Sequence, residues 1–125
     1  LFRSEIEEAV QAHPAIAEVA VVGVADALKG QMPMAFAVVK DPKSVDTPEK
    51  VAELEKAVMK IVDGSLGAIA RPARVHFISG LPKTRSGKML RRSIQALAEG
   101  RDPGDMTTID DPSTLEQIRA ALASK

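Results

Sequence analysis

Cysteine, tryptophan and tyrosine are absent from the 125-residue sequence, which has only three phenylalanines and two histidines. Without cysteine the chain has no disulfide, no thiolate metal ligand and no cysteine nucleophile. This absence suits the cytosol, and we expect a cytoplasmic location. His13 and His76 lack the spacing of metal ligands, so no metal site is predicted. The shortage of aromatic rings leaves little that could stack on nucleic-acid bases.

The chain also lacks an excess of either charge and any long hydrophobic run. Its 17 Lys and Arg residues balance 17 Asp and Glu residues, so there is no global field to attract nucleic acid or an acidic membrane. No segment approaches the roughly 20 apolar residues of a membrane span, and the N-terminus has no signal-peptide pattern. We therefore expect neither a nucleic-acid nor a membrane partner.

What is present is the composition of one globular domain, with 45% hydrophobic and 27% charged residues. Hydrophobic periodicity and turn residues predict a helix from Ser4 to His13, strands over 18–24 and 34–39, a helix from Thr47 to the glycines at 64 and 67, a strand over 74–79, a helix from about Leu90 to Gly100, and a short helix from Ser113. Capping boxes, Ser4 with Glu7 and Ser113 with Glu116, predict the starts of the first and last helices.

The order of these elements predicts the fold class. The link over 25–33 has the length of a hairpin loop, which favours antiparallel pairing of the first two strands. We predict an α+β fold, with a small, mostly antiparallel three-stranded sheet flanked by helices and followed by a C-terminal extension. Residues 1–100 would form the domain, and residues 101–125 an extension whose short helix packs on it. His76 is interpreted as a strand residue without a chemical role.

One segment concentrates the positive charge. Residues 82–92 contain five cations and no acid, which leaves 12 cations against 17 acids elsewhere. Proline and glycine place this segment on a loop that leads into a helix, where free amides and the helix dipole favour an anion such as phosphate. It is not a Walker A loop, because Pro82 replaces a required glycine and Met89 the required hydroxyl. A solvated basic turn, with Arg91 and Arg92 on the outer face of the helix, remains the alternative.

The stretch Leu81-Pro82-Lys83-Thr84-Arg85-Ser86-Gly87-Lys88, followed by Met89-Leu90-Arg91-Arg92, resembles the C-terminal signature of the adenylate-forming acyl-CoA synthetases. Matching elements precede it in the family's order: Glu5-Ile6-Glu7, His13-Pro14, residues 18–23 and Lys29-Gly30-Gln31. The resemblance covers about residues 5–123. The tail over 99–112 is similar to the short-chain branch, the acetyl- and propionyl-CoA synthetases, and is closer to the propionyl type.

This resemblance implies the small, mobile C-terminal domain of a two-domain enzyme, whose N-terminal domain holds the ATP and carboxylate pockets. The full enzyme would convert propionate or another short-chain carboxylate and ATP, with Mg, into acyl-AMP and pyrophosphate. After rotation of the small domain, it would form a thioester with CoA. ATP and CoA would be substrates, and this domain would bind neither tightly. Because only Leu1–Ser4 stands where the family has its hinge loop, we expect the chain alone to be inactive.

Within the basic segment, Lys88 matches the family's catalytic lysine, which enters the active site during adenylation. A compact cation on a flexible stem suits a group that arrives and leaves by domain motion. Gly87 would allow close approach, and Ser86 with Thr84 would order the loop. The remaining cations, Lys83, Arg85, Arg91 and Arg92, would either set the field and contact the other domain or serve only as surface.

Two further assignments follow from the resemblance. Lys29 and Gly30 are candidates for the face that meets the active site in the thioester step, with a plain hairpin loop as the alternative. Relatives often present a basic residue to CoA near the end of the long helix, and Asp63 at this place argues against that contact. A protein acyltransferase and deacylase acting on Lys88 would be further partners, because acylation removes the ammonium charge.

Three alternatives stay open on the residues alone. One is the same kind of ligase with acetate rather than propionate as its substrate. The second is a free-standing module that binds an anion or nucleic acid through residues 82–92. The third is an interaction domain in which that loop is only surface.

Overall fold

The computed structural model describes residues 3–26, 30–67, 72, 74–104 and 107–123. Its elements are α1 (Arg3–Gln11), β1 (Ile16–Asp26), β2 (Gly30–Val39), a 3-10 turn (Pro42–Val45), α2 (Pro48–Leu66), β3 (Val75–Ile78), α3 (Arg91–Ala98) and α4 (Ser113–Ala123). The predicted α+β class is confirmed, and every predicted helix and strand occurs near its expected place.

The sheet has the order β1-β2-β3 and is mixed. β1 and β2 form a long antiparallel ribbon, from Ile16 opposite Val39 to Asp26 opposite Gly30. β2 and β3 are parallel over four residue pairs, which α2 makes possible because it carries the chain back across the sheet. Most of the pairing is therefore antiparallel, as predicted.

The predicted nine-residue loop over 25–33 is wrong, because both strands extend into it to Asp26 and Gly30. Pro33, the last residue of the predicted loop, lies within β2. It lies opposite Gly23, in a part of β2 that reaches past the first β2–β3 pair at Ala35. At that point β2 pairs on one side only, so the missing N–H of proline is tolerated.

The helix starts differ from the predicted capping boxes. α1 begins at Arg3, which places Ser4 inside the helix, and the Glu7 carboxylate binds elsewhere in the fold. At α4, the Asp111 carboxylate accepts from both the backbone N–H and the hydroxyl of Ser113. For Glu7 the physical reason is that a carboxylate bonds more strongly to a charged donor, here the Arg91 guanidinium, than to the amide of its own first turn.

Two apolar clusters cover the two faces of the sheet, because successive strand residues point to opposite faces. α1 and α2 pack Val10 and Val58 against Val21 on one face. α3 and α4 pack Ile94 and Ile118 against the other. His76 is a buried strand residue, and its ring stacks on Phe36 with a centroid distance of 5.3 Å.

Candidate functional site: a braced basic hairpin

The basic segment folds as a tight hairpin ahead of α3. Lys83 and Met89 form an antiparallel bridge, and the N–H of Leu90 donates to the carbonyl of Pro82 over 3.0 Å. The chain reverses through a turn in which the Gly87 N–H donates to the Thr84 carbonyl over 2.8 Å. Gly87 has a φ of +91°, a conformation that L-residues rarely adopt, so glycine suits this turn.

Thr84 holds the backbone of Lys88 on both sides. The Thr84 N–H donates to the Lys88 carbonyl over 2.8 Å, and the Lys88 N–H donates to Thr84 Oγ1 over 3.1 Å. The hydroxyls of Thr84 and Ser86 are 2.9 Å apart. These hydroxyls order the loop in the way that the sequence predicts. The backbone of Lys88 is thereby held, while its side chain is exposed.

A second segment of backbone lies along the outer side of the hairpin. Thr84 bridges Ile109, the Arg85 N–H donates to the Thr108 carbonyl over 3.2 Å, and the Asp110 N–H donates to the Lys83 carbonyl over 2.9 Å. Residues 108–110 thus act as a third, short strand beside the hairpin. The sequence offers no periodicity that would have revealed it, because Ile109 is a lone apolar residue among polar ones.

Two of the five cations form ion pairs with acidic residues in other elements of the fold. Lys83 Nζ pairs with the Glu18 carboxylate at the start of β1. Arg91 pairs with Glu7 on α1, with Nη2 2.7 Å from Oε1 and Nε 3.2 Å from Oε2. Arg91 therefore packs against α1 and does not lie free on the outer face of its helix. Sequence reasoning missed both acidic partners, since nothing local links residues so far apart.

The other three cations of the basic segment lie at the surface. Arg85, Lys88 and Arg92 are exposed, and within the described part of the chain no carboxylate lies at ion-pair distance from any of them. The hairpin therefore presents the Lys88 ammonium on an ordered base, with no carboxylate partner among the residues that the structure describes. Such a group can approach an anion outside the domain and stabilise negative charge that develops on it.

The second predicted region lies at the far end of the β1–β2 ribbon. Gly30 begins β2 opposite Asp26, whereas Lys29 lies outside the described residues. At about 3.3 Å per residue, the stretch of β1 from Glu18 to Asp26 spans about 26 Å. Glu18 is the partner of Lys83, so Gly30 lies at the other end of the ribbon from the residue that holds the base of the hairpin. The structure does not bring them into one site.

The described residues contain no group of three or more acidic or histidine side chains that could hold a metal ion. In the same ranges, no helix has both the length and the apolar character needed to cross a membrane. Asp63 is exposed in the last turn of α2, where its carbonyl accepts the N–H of Gly67.

Comparison with known proteins identifies the family. The model of the AMP-binding enzyme C-terminal domain matches residues 5–88. Over 94% of its length, the chain is 59% identical to a propionate–CoA ligase of Escherichia coli and 47% identical to an acetyl-coenzyme A synthetase of Pyrobaculum arsenaticum. It covers 19% and 17% of those proteins, so it spans about a fifth of the length of such relatives.

Solved structures agree with this assignment. A Brucella canis acyl-CoA synthetase superposes with a TM-score of 0.58 at 38% identity, over 70% of this chain and 15% of that one. A Mycobacterium tuberculosis fatty acyl CoA synthetase superposes with a TM-score of 0.62 at 26% identity, over 74% and 17%. With a matching family model over two thirds of its residues and the fold of these synthetases, the chain belongs to the AMP-binding enzyme C-terminal domain family.

Proposed function

We propose that this chain is the C-terminal domain of an AMP-forming propionate–CoA ligase, with residues 1–100 as the mobile domain and 101–125 as an extension packed on it. The 59% and 57% identities to propionate–CoA ligases of Escherichia coli and Salmonella typhimurium support this choice of substrate. Acetate is the second candidate, because acetyl-coenzyme A synthetases are also similar. A cytoplasmic location stays a prediction.

The reaction has two steps. In the first, a carboxylate oxygen attacks the α-phosphorus of ATP, and the bond to pyrophosphate breaks to leave acyl-AMP. In the second, the CoA thiol attacks the acyl carbon, AMP leaves, and the thiol gives up its proton. The first step brings two anions together and builds negative charge on the departing pyrophosphate, so it gains most from a positioned cation.

The observation that carries the proposal is the exposed Lys88 on backbone held by Thr84. This lysine would enter the active site of the large domain during adenylation. Arg85, on the same turn, would add to the field, while Gly87 and Ser86 keep the turn tight. Lys83 is held by Glu18, and we assign it to the base of the hairpin.

We place the thioester step on the other end of the domain, at Lys29 and Gly30. Gly30 lies at the opposite end of the β1–β2 ribbon from the partner of Lys83. A rotation of the domain could therefore withdraw the hairpin and present this end instead. CoA would meet the enzyme here, without help from Asp63.

The test uses the complete ligase and measures each half-reaction. Lys88→Ala is expected to reduce propionate-dependent ATP–pyrophosphate exchange about 100-fold or more, the scale seen when a preorganised transition-state donor is removed. Thioester formation from supplied propionyl-AMP is expected to change less than about 3-fold, since this step does not use that cation. Arg92→Ala is the matched control, because it removes an exposed cation from α3 and leaves the turn intact.

Other outcomes would select other functions. If both half-reactions survive Lys88→Ala, the hairpin is only a surface and the interaction-domain hypothesis replaces ours. Strongly salt-dependent binding of the chain to generic DNA or RNA would favour a nucleic-acid module. Exchange that is faster with acetate than with propionate would favour the acetate ligase. Thioester synthesis by the purified chain alone would contradict its predicted inactivity.

We also propose that Lys88 is acylated by a protein acyltransferase and restored by a deacylase. The lysine is exposed, and transfer of an acyl group to Nζ would remove its charge and with it the adenylation cation. Peptide mass mapping of the native protein, from cells grown with and without propionate, should find this modification. Consistently unmodified Lys88 would contradict it.

A further inference from the structure

The C-terminal extension forms backbone hydrogen bonds with the basic hairpin. The Asp110 N–H and the Thr108 carbonyl bond to the backbone of Lys83 and Arg85. The bridge between Thr84 and Ile109 lies between those two bonds. The family model ends at residue 88, so this third strand comes from a part of the chain beyond the matched domain.

The third strand is fixed to the rest of the fold on both sides. The Ile109 side chain is 4% exposed and belongs to the same apolar cluster as Ile94 and Ile118. Two residues later, Asp111 caps α4. The N–H and hydroxyl of Ser79, just after β3, both donate to a Gln117 side chain of α4. The strand is therefore anchored in the core and is no loose tail.

An isolated two-stranded hairpin is only marginally stable in water, and additional strands packed on a core stabilise it. The hairpin carries Lys88 at an exposed turn. The conformation of that turn therefore depends on the neighbouring elements that pack against the hairpin. The flanks of the hairpin reach the core through Leu81, Met89 and Leu90. The strand over 108–110 adds a further anchor on the Thr84 side of the turn, because Ile109 lies in the same cluster. Thr84 in turn holds the backbone of Lys88.

We propose that residues 108–110 form a positioning strand, anchored by Ile109, that holds the hairpin in the shape needed for Lys88 to act in adenylation. This inference rests on the proposed function of Lys88. A displacement of about 1 Å can cost on the order of 100-fold in rate, so a loosened strand should slow adenylation strongly. It should act through kcat, because a misplaced transition-state group leaves ground-state binding unchanged.

The test measures both half-reactions in the complete ligase for two pairs of variants. Ile109→Ala loosens the anchor, and Ile118→Ala, in the same cluster but on α4, is its control for lost core packing. Asp110→Pro removes both the Asp110 carboxylate and the backbone N–H that donates to the Lys83 carbonyl. Its control, Asp110→Ala, removes the carboxylate but keeps that N–H. Ile109→Val, which keeps most of the anchor, should restore activity.

We expect Ile109→Ala and Asp110→Pro to lower kcat of the ATP–pyrophosphate exchange by about 10- to 100-fold. The KM values for ATP and propionate, and the thioester rate from supplied propionyl-AMP, should stay within about 2-fold. The controls should remain near wild type in both steps. Circular dichroism establishes that each variant is folded, and Ile109→Ala carries the test if Asp110→Pro does not fold.

Three results would overturn the inference, and they are distinguishable. If Lys88→Ala abolishes exchange while the two variants match their controls, the strand does not position the lysine and the proposed function stands. If Lys88→Ala leaves exchange intact, the proposed function fails and this inference fails with it. Equal losses in both half-reactions would show a general structural role and would also refute positioning.

Discussion

Removal of the Glu7 carboxylate should be one of the most damaging single changes to the stability of this domain. Glu7 lies on α1, and its side chain is only 15% exposed. Oε2 accepts the N–H of Val21 over 2.8 Å, and both oxygens accept from the Arg91 guanidinium. One side chain thus joins α1, the outer edge of β1 and the first turn of α3.

The magnitude follows from what each variant leaves behind. Glu7→Ala leaves the buried Val21 N–H without its acceptor, which costs about 1–3 kcal/mol. It also removes the two-bonded ion pair with Arg91, which at this partial exposure contributes about 1 kcal/mol. We therefore expect a loss of about 3 kcal/mol and a decrease of about 10 °C in Tm. Glu7→Gln keeps an oxygen for Val21 and should lose only about 1 kcal/mol.

Urea unfolding of the 125-residue chain, followed by circular dichroism, measures these differences. Glu8→Ala is the matched control, since Glu8 is the next residue of α1 and is exposed. It should change the free energy of unfolding by less than about 0.5 kcal/mol. If Glu7→Ala were no more destabilising than Glu8→Ala, the Glu7 carboxylate would not stabilise the packing of α1, β1 and α3. That result would refute the prediction.

Three further predictions concern the sheet and the hairpin. Burial, followed by the charge of Arg74, lowers the pKa of His76 from 6.5, so the unfolded chain takes up a proton more readily and stability should fall as the pH drops below about 6.5. His76→Gln should flatten this dependence in pH-dependent urea unfolding, and an unchanged dependence in this variant would contradict the assignment to His76. Gly87→Ala meets no atom within 4 Å but places a side chain at φ +91°, so it should cost about 1–2 kcal/mol by calorimetry through backbone strain alone. Thr84→Val removes the hydroxyl that holds the Lys88 N–H and should slow pyrophosphate exchange about 10-fold, with Thr84→Ser near wild type; equal rates for the two would contradict the role of that hydroxyl.

Local signals along the chain are enough to identify the helices, the strands and the basic segment over 82–92. α2 has a threonine cap, a first-turn proline and a regular apolar stripe, all of which are local signals. The strands are apolar runs, with β-branched residues most frequent in the first of them. The density of cations over 82–92 can be recognised from the sequence without knowledge of the fold. The family signature, too, is a linear pattern, so the reading of Lys88 came from order along the chain.

Which polar groups meet depends on the tertiary fold. Glu7 pairs with Arg91 across 84 residues, and Lys83 pairs with Glu18 across 65. Such contacts depend on the path of the whole chain, and local spacing carries no information about them. For this reason Glu7 looked like part of a capping box, although a guanidinium and a buried amide bind it more strongly than the first turn of its own helix.

The third strand beside the hairpin also depends on the path of the whole chain. Residues 108–110 are short and polar apart from Ile109, and they become a strand only because the fold places an exposed backbone edge next to them. Pro33 illustrates the converse, since a residue that normally interrupts a strand is accepted where β2 extends beyond β3. Local chemistry therefore determined what each segment could form, and tertiary packing determined which cations are held in ion pairs and which remain free to act.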